Sequence, residues 1–238
     1  TRDGRLLRTL SLGERWDGLP ATTRVWVHTC SLDGQPAALN NYKARGFTQF
    51  KTATGVELPE LDLGGGFGIA YVGADNPLET SAIAAAFEEM LDHECRAFGL
   101  KRPHLSIEPG RAICGPSGVA VYRVGTVKIV ELEGGRSRTY VSVDGGMSDN
   151  IRPALYAAEY SGGIANRSSD AEPVLCRVVG KHCEGGDILI RDVFLPNDVR
   201  VGDLIAVPGS GAYARSMANN YNQIPKPPVV SAKDGVTD

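Results

Sequence analysis

LPELDLGGGFG, residues 58–68, is the stretch on which the fold turns: a short apolar run that ends in four glycines within five residues. Such a run reads as a buried strand feeding a tight loop. Downstream, residues 79–98 carry Ile83, Phe87, Met90, Leu91 and Phe98 at helical spacing, with Glu88, Glu89 and Asp92 on the opposite side. That stripe predicts an amphipathic helix, with Gly99 as the residue that ends it. HLSIEPGR, residues 104–111, is a second short strand stopped by Pro109. Strand, glycine-rich loop, helix and strand make a βαβ unit, in which the two strands run parallel and both loops leave the same edge.

Working outward, the pattern changes beyond Gly115. GVAVYRVGTVKIV, RTYVSVDGG, PVLCRVVG, DILIRDVFL and DLIAVPG are β runs separated by Gly, Asp, Asn and Pro. Repeated short strands with turn signals predict an antiparallel sandwich or barrel. In the other direction, residues 1–57 hold turn-rich pieces (WDGLP, SLDGQP, NNYKARG) with no sustained period, and no fold is assigned to them. The expected division is therefore 1–57 unassigned, 58–115 α/β, and 116–238 a β domain.

Composition narrows the function classes. The chain has 238 residues, 42% of them hydrophobic, enough for a substantial core. Twenty-five basic residues against 28 acidic ones leave a net charge of −3 with no dense basic block, which argues against a nucleic-acid partner. No run approaches the roughly 18 apolar residues of a membrane span, and the N-terminus lacks the apolar core of a signal peptide. The five cysteines are widely spaced without a C-x-x-C pair, and the four histidines have no metal-ligand spacing. Reduced thiols in a cytoplasmic protein without a metal centre are expected.

The chemistry-bearing residues follow the glycine loop. Successive glycines let backbone N–H groups converge on an anion, so GGGFG is either a phosphate cradle or only a tight turn. The second loop, Glu108-Pro109-Gly110-Arg111, favours the cradle, because (β/α)₈ barrels build phosphate sites from neighbouring loops after their last strands. A carboxylate at Glu108 beside a phosphate needs a cation to face, either Arg111 or a protonated heterocycle. GSGAYA, residues 209–214, matches G-x-G-x-x-A, but Pro208 breaks the strand junction and no helix pattern or later acidic strand end follows, so a dinucleotide site is rejected.

LDLGGGFG, EPGRAI, VDGGMSDNIRPALY, VVGKHCEGGD and GDLIAVPGSGAYARSMANNYN together resemble, in order, the signatures of the diaminopimelate decarboxylase family, over about residues 58–235. The resemblance implies the terminal part of a (β/α)₈ barrel that binds pyridoxal 5′-phosphate, followed by a mostly antiparallel β-barrel or sandwich domain. It implies that Gly65, Gly66 and Gly110 hold the cofactor phosphate, that Glu108 meets the pyridine nitrogen, and that Tyr213 touches phosphate and substrate. Arg111 is implied at both cofactor and substrate, and its guanidinium fork suits a carboxylate. Arg152 and Tyr156 are implied at the substrate carboxylate, their spacing of four placing both on one helical turn. Cys183 is implied as the proton donor after CO₂ loss, and Glu184 as the ligand of the distal substrate ammonium. Without the motif around it, Cys183 reads sooner as an inert buried thiol than as a proton donor. The family also implies a homodimer with shared active sites and an amino-acid substrate.

One family signature is missing. The lysine that links the cofactor belongs in a Y-A-x-K motif near the N-terminus, and none of Lys43, Lys51, Lys101, Lys128, Lys181, Lys226 and Lys233 has that setting. A full barrel takes about 250 residues, so the chain reads as the C-terminal half of such an enzyme, from a truncated, rearranged or frame-shifted coding region. Three functions follow as expectations. They are decarboxylation of meso-2,6-diaminopimelate to L-lysine, a catalytically inactive fragment or partner subunit, and an ornithine- or arginine-type decarboxylase.

Overall fold

The computed structural model describes residues 60–237, and their contacts divide into two compact units. The described part of the first unit is residues 60–67 and 78–109; the second comprises Gly68–Pro77 and the chain from Gly110 onward. Lys43 and the rest of the N-terminal segment lie outside the described residues.

In the first unit, β1 (Glu60–Asp62) and β2 (His104–Ser106) pair in parallel, with Leu61 opposite Leu105, and α1 (Thr80–Ala97) connects them. The predicted βαβ unit is present. Its core is Leu61, Leu63, Phe87 and Leu91, with Ile83 and Met90 packed against it from the helix. The polar side of α1 is held by Arg102, which bonds Asp92 at 2.6 Å and also pairs with Glu88. The apolar stripe differs at its end. Cys95 is buried, whereas Phe98 is exposed, because Phe98 is already the C-cap and the helical period no longer sets its direction. Gly99 adopts φ +59°; its N–H reaches the carbonyl of Arg96 and that of Leu100 the carbonyl of Cys95. This is a Schellman closure, which needs a residue tolerant of left-handed backbone.

The second unit is built on a six-stranded sheet in the order β5-β8-β3-β4-β6-β7. Its strands are β3 (Ala120–Leu132), β4 (Arg136–Val143), β5 (Gly163–Ile164), β6 (Pro173–Val179), β7 (Ile188–Pro196) and β8 (Leu204–Val207). All neighbours are antiparallel except β4 and β6, which run parallel, so the sheet is mixed. A parallel pair requires a long crossover, and residues 144–172 supply it. That crossover carries the short helix α3 (Arg152–Tyr156) and β5, a two-residue strand with no signal of its own in the sequence. A second short helix, α2 (Gly110–Cys114), precedes the sheet, and a hairpin of β9 (Ala232–Lys233) and β10 (Val236–Thr237) lies near the end of the chain.

Alternation along the strands makes the core. Tyr122 and Val124 of β3, Val141 and Val143 of β4, Cys176 and Val178 of β6, and Ile205 and Val207 of β8 are all buried in one cluster. Beyond Val124 the inward parity of β3 changes, and Val127 packs on the core three residues later. The register explains it. Val124 faces Val143 and Thr126 faces Ser142, so Gly125 is an extra residue that turns the following side chains over.

Candidate functional site

In the first unit the loops after the two parallel strands are joined by hydrogen bonds. The amide of Glu108 donates to the carbonyl of Gly64 at 2.8 Å, and the Asp62 carboxylate accepts from the amide of Gly64 at 2.7 Å. A Cβ at Gly65 would stand 2.8 Å from the carbonyl oxygen of Glu108, and Gly66 has φ +98°. Both positions therefore require glycine. The structure brings Gly65, Gly66 and Glu108 into one loop pair, with the Glu108 side chain exposed.

The second unit holds the other residues singled out above. Arg111 lies on α2 and its guanidinium carbon is 5.3 Å from the centroid of the Tyr213 ring. Its Nε is buried and has no hydrogen-bond partner. Tyr213 has φ +64°, an unfavourable conformation for a bulky side chain. It is held there by the turn around it. The amides of Ser210 and Gly211 donate to the carbonyls of Gly118 and Gly115, and a Cβ at Gly118 would come within 2.3 Å of the Cα of Gly211. The GSG sequence is thus a close backbone approach that seats Tyr213 beside Arg111.

The helical turn predicted around Arg152 and Tyr156 forms, but the two side chains have different surroundings. Tyr156 is 61% exposed and Arg152 only 8%. The Arg152 guanidinium lies 4.7 Å from the ring centroid of Tyr71 and 5.5 Å from that of Tyr160, and donates to the Tyr160 hydroxyl at 2.5 Å. The two aromatic rings meet edge to face. Among the described residues no carboxylate pairs with this buried cation. Aromatic faces lower the cost of that burial while leaving its charge available to an anion.

Cys183 and Glu184 are both exposed, on the loop before β7. Cys183 is thus not buried within this chain. What holds the loop is Asp187, 3% exposed. One carboxylate oxygen accepts from the amide of Met147 at 2.6 Å and the other from the amide of His182 at 2.7 Å. A Cβ at Gly146 would stand 2.7 Å from both of these oxygens, and one at Gly180 still closer, so VDGG and VVGK need their glycines to admit the carboxylate. His182 is buried with Nε2 2.8 Å from Ser148 Oγ, and the Tyr221 hydroxyl donates to Glu184 at 2.5 Å. The Glu184 carboxylate raises the Tyr221 hydroxyl above the usual phenol range. Near this loop, burial pushes the Asp149 carboxyl up, and the amide of Gly146 partly offsets it.

Sequence reasoning missed Tyr71, Tyr160, Asp187, His182 and Tyr221. Asp187 had a signal, an acidic residue after a glycine pair at a strand start. The two tyrosines around Arg152 had none, since residues 71 and 160 meet only in the folded chain.

The second unit thus combines a mixed sheet with an arginine flanked by two tyrosines, an Arg111–Tyr213 contact and a loop pinned by Asp187 that exposes Cys183 and Glu184. The chain belongs to the pyridoxal-dependent decarboxylase family: residues 70–211 match its C-terminal sheet domain. It is 49% identical over 179 residues to the diaminopimelate decarboxylase of Mycobacterium tuberculosis, covering 75% of this chain and 40% of the relative. The enzyme of the same name from Actinosynnema pretiosum is 43% identical over 219 residues, covering 91% of this chain and 48% of that relative. A match of that length runs beyond residues 58–238 into the N-terminal segment. Among solved structures, the diaminopimelate decarboxylase of M. jannaschii with L-lysine superposes with a TM-score of 0.75 at 27% identity, covering 88% of this chain and 46% of that one. The chain therefore spans less than half the length of these relatives. No helix among the described residues is long and apolar enough to cross a membrane.

Proposed function

We propose that this chain is the C-terminal part of a diaminopimelate decarboxylase, which removes CO₂ from meso-2,6-diaminopimelate to give L-lysine with pyridoxal 5′-phosphate as cofactor. The observation that carries the reading is the Asp187-pinned loop, which presents Cys183 and Glu184 together at the surface of the sheet domain. The 49% identity to the M. tuberculosis enzyme supports it. Lysine/ornithine decarboxylase of Vibrio vulnificus is a more distant likeness, at 24% identity and a TM-score of 0.64, so ornithine is the less favoured substrate.

The donor chemistry of each unit is compatible with the cofactor. In the first, Gly66, where a Cβ would meet nothing within 4 Å, would offer backbone donors to a phosphate together with Gly65. In the second, the buried Nε of Arg111 is a donor in want of an acceptor, and Gly110 would add its amide. Glu108 would face the pyridine nitrogen, and Tyr213 the phosphate. When bound, the cofactor supplies a protonated ring that takes up the electron pair left as the carboxyl group departs. Arg111, Arg152 and Tyr156 would bind substrate carboxylates, Glu184 the distal ammonium, and Cys183 would return a proton to the substrate Cα.

On this reading the first unit is the terminal part of a (β/α)₈ barrel and the sheet of the second belongs to a β-barrel or sandwich. The enzyme is a cytoplasmic homodimer in which Cys183 and Glu184 complete the partner's site. Free thiols at Cys95, Cys114, Cys176 and Cys183 support a reducing compartment. The test is CO₂ release from meso-diaminopimelate, ornithine and arginine, by the chain alone and mixed with a full-length relative whose catalytic cysteine is replaced. Release from diaminopimelate in either case supports the reading. Release only from ornithine or arginine, or none in both settings, rejects it. Borohydride fixation of the cofactor to a lysine of the chain alone would reject the inactive-partner alternative.

A further inference from the structure

The Glu184 carboxylate is exposed, on a loop whose anchor is Asp187 rather than Glu184 itself. An exposed glutamate samples several rotamers, and a single orientation has to be held from outside the loop. The holding group is the Tyr221 hydroxyl, which donates to Oε1 at 2.5 Å, in the range of a charge-assisted bond. Among the described residues Oε2 has no hydrogen-bond partner.

Tyr221 is itself fixed by two contacts, and its neighbour Asn219 is tied by a third. Its ring lies against that of His182 with centroids 5.3 Å apart and planes at 52°. Its amide donates to Asn219 Oδ1 at 2.9 Å, and the amide of Asn219 donates to the carbonyl of Ser148 at 2.9 Å. Ser148 in turn meets Nε2 of buried His182 at 2.8 Å. The NNYN turn, about forty residues away in sequence, is therefore tied to both loops that surround Glu184.

We propose that Tyr221 is a positioning residue: its phenol holds Oε1 of Glu184 so that Oε2 is presented to the distal ammonium of an amino-acid ligand. The inference rests on the reading of Glu184 as the ammonium ligand. It assigns a specificity role to the NNYN turn, which acts through Glu184 and not on the reacting carbon.

The experiment compares the full chain with its Tyr221→Phe, Glu184→Gln and double variants. Binding of L-lysine and of L-norleucine, which lacks the ε-ammonium, is measured by calorimetry. Tyrosine ¹³Cζ signals are titrated in parallel, with Tyr221 assigned by its loss in Tyr221→Phe. The Phe variant keeps the ring on His182, so its fold is preserved. The parent chain is expected to prefer L-lysine. Tyr221→Phe lowers that preference about five- to tenfold, the worth of one such hydrogen bond, with L-norleucine affinity unchanged. Adding Tyr221→Phe to Glu184→Gln has no further effect. In the titration, Glu184→Gln brings the Tyr221 signal down toward the ordinary phenol range.

Retention of the preference in Tyr221→Phe, with its loss in Glu184→Gln, overturns the positioning role and leaves the reading of Glu184 intact. A Tyr221 signal indifferent to Glu184→Gln overturns the hydrogen bond. A parent chain without any preference for L-lysine overturns the inference together with the reading of Glu184 beneath it.

Discussion

A Cβ on Gly211 would stand 1.8 Å from the carbonyl oxygen of Cys114, so the turn that carries Tyr213 rests on the end of α2 with no room for a side chain. Gly211→Ala is expected to push the turn away, break the bond from Gly211 to Gly115, and release Tyr213 from its left-handed backbone. Cleavage within 209–217 under limited proteolysis should become markedly faster than in the parent. Unchanged cleavage would show that the contact does not set the turn.

Asp187 accepts two backbone amides from two different loops, and an amide side chain has one acceptor oxygen to offer. Asp187→Asn therefore leaves one buried N–H facing an NH₂ group, at a cost of about 1–3 kcal/mol. Hydrogen exchange should accelerate at Met147 and His182 more than at β3 or β4. Uniform acceleration would mean that Asp187 supports the whole sheet rather than this loop.

Arg167 bridges Asp198 at 2.9 Å and Asp203 at 2.8 Å, the latter carboxylate being buried. Hydrogen bonding from Arg167 holds the Asp203 carboxyl down at about 2 despite that burial. Because this lies below the unfolded carboxylate value of about 3.9, the stabilisation is complete above pH ~4 and is lost as pH falls toward ~2. Arg167→Met should lower the melting temperature by several degrees at pH 7, with the difference shrinking across that acid range. A difference independent of pH would remove the electrostatic account.

Ile205 is fully buried at the middle of the core cluster. Ile205→Ala deletes three carbons from a packed interior and is expected to cost about 2–5 kcal/mol in denaturant unfolding. Val121→Ala on the neighbouring strand, at a position 55% exposed, should cost well under half as much. Equal losses would show that the buried face has been assigned to the wrong side of β3.

Much of this organisation was legible in the chain itself. The glycine loop, the stripe of Phe87 and Leu91, and the terminating Gly99 predict the βαβ unit, because each is a local preference satisfied within a few residues. The five long β runs were legible for the same reason, as was the grouping of Cys183 with Glu184. The parity change at Gly125 was not, since a bulge is a mismatch between two strands and neither strand carries it alone.

The sequence by itself determined the order of the βαβ unit and the five longer β runs, the glycines that keep Cβ atoms out of loop contacts, and the family to which residues 70–211 belong. Those follow from short-range periodicity, backbone sterics and motif order. Tertiary structure alone decided that β4 and β6 run parallel and that Arg152 is buried between Tyr71 and Tyr160. It alone decided that Asp187 holds the Cys183–Glu184 loop and that Tyr221 reaches Glu184. Each of these joins residues far apart along the chain, and such partners become neighbours only when burial of the core closes the loops between them.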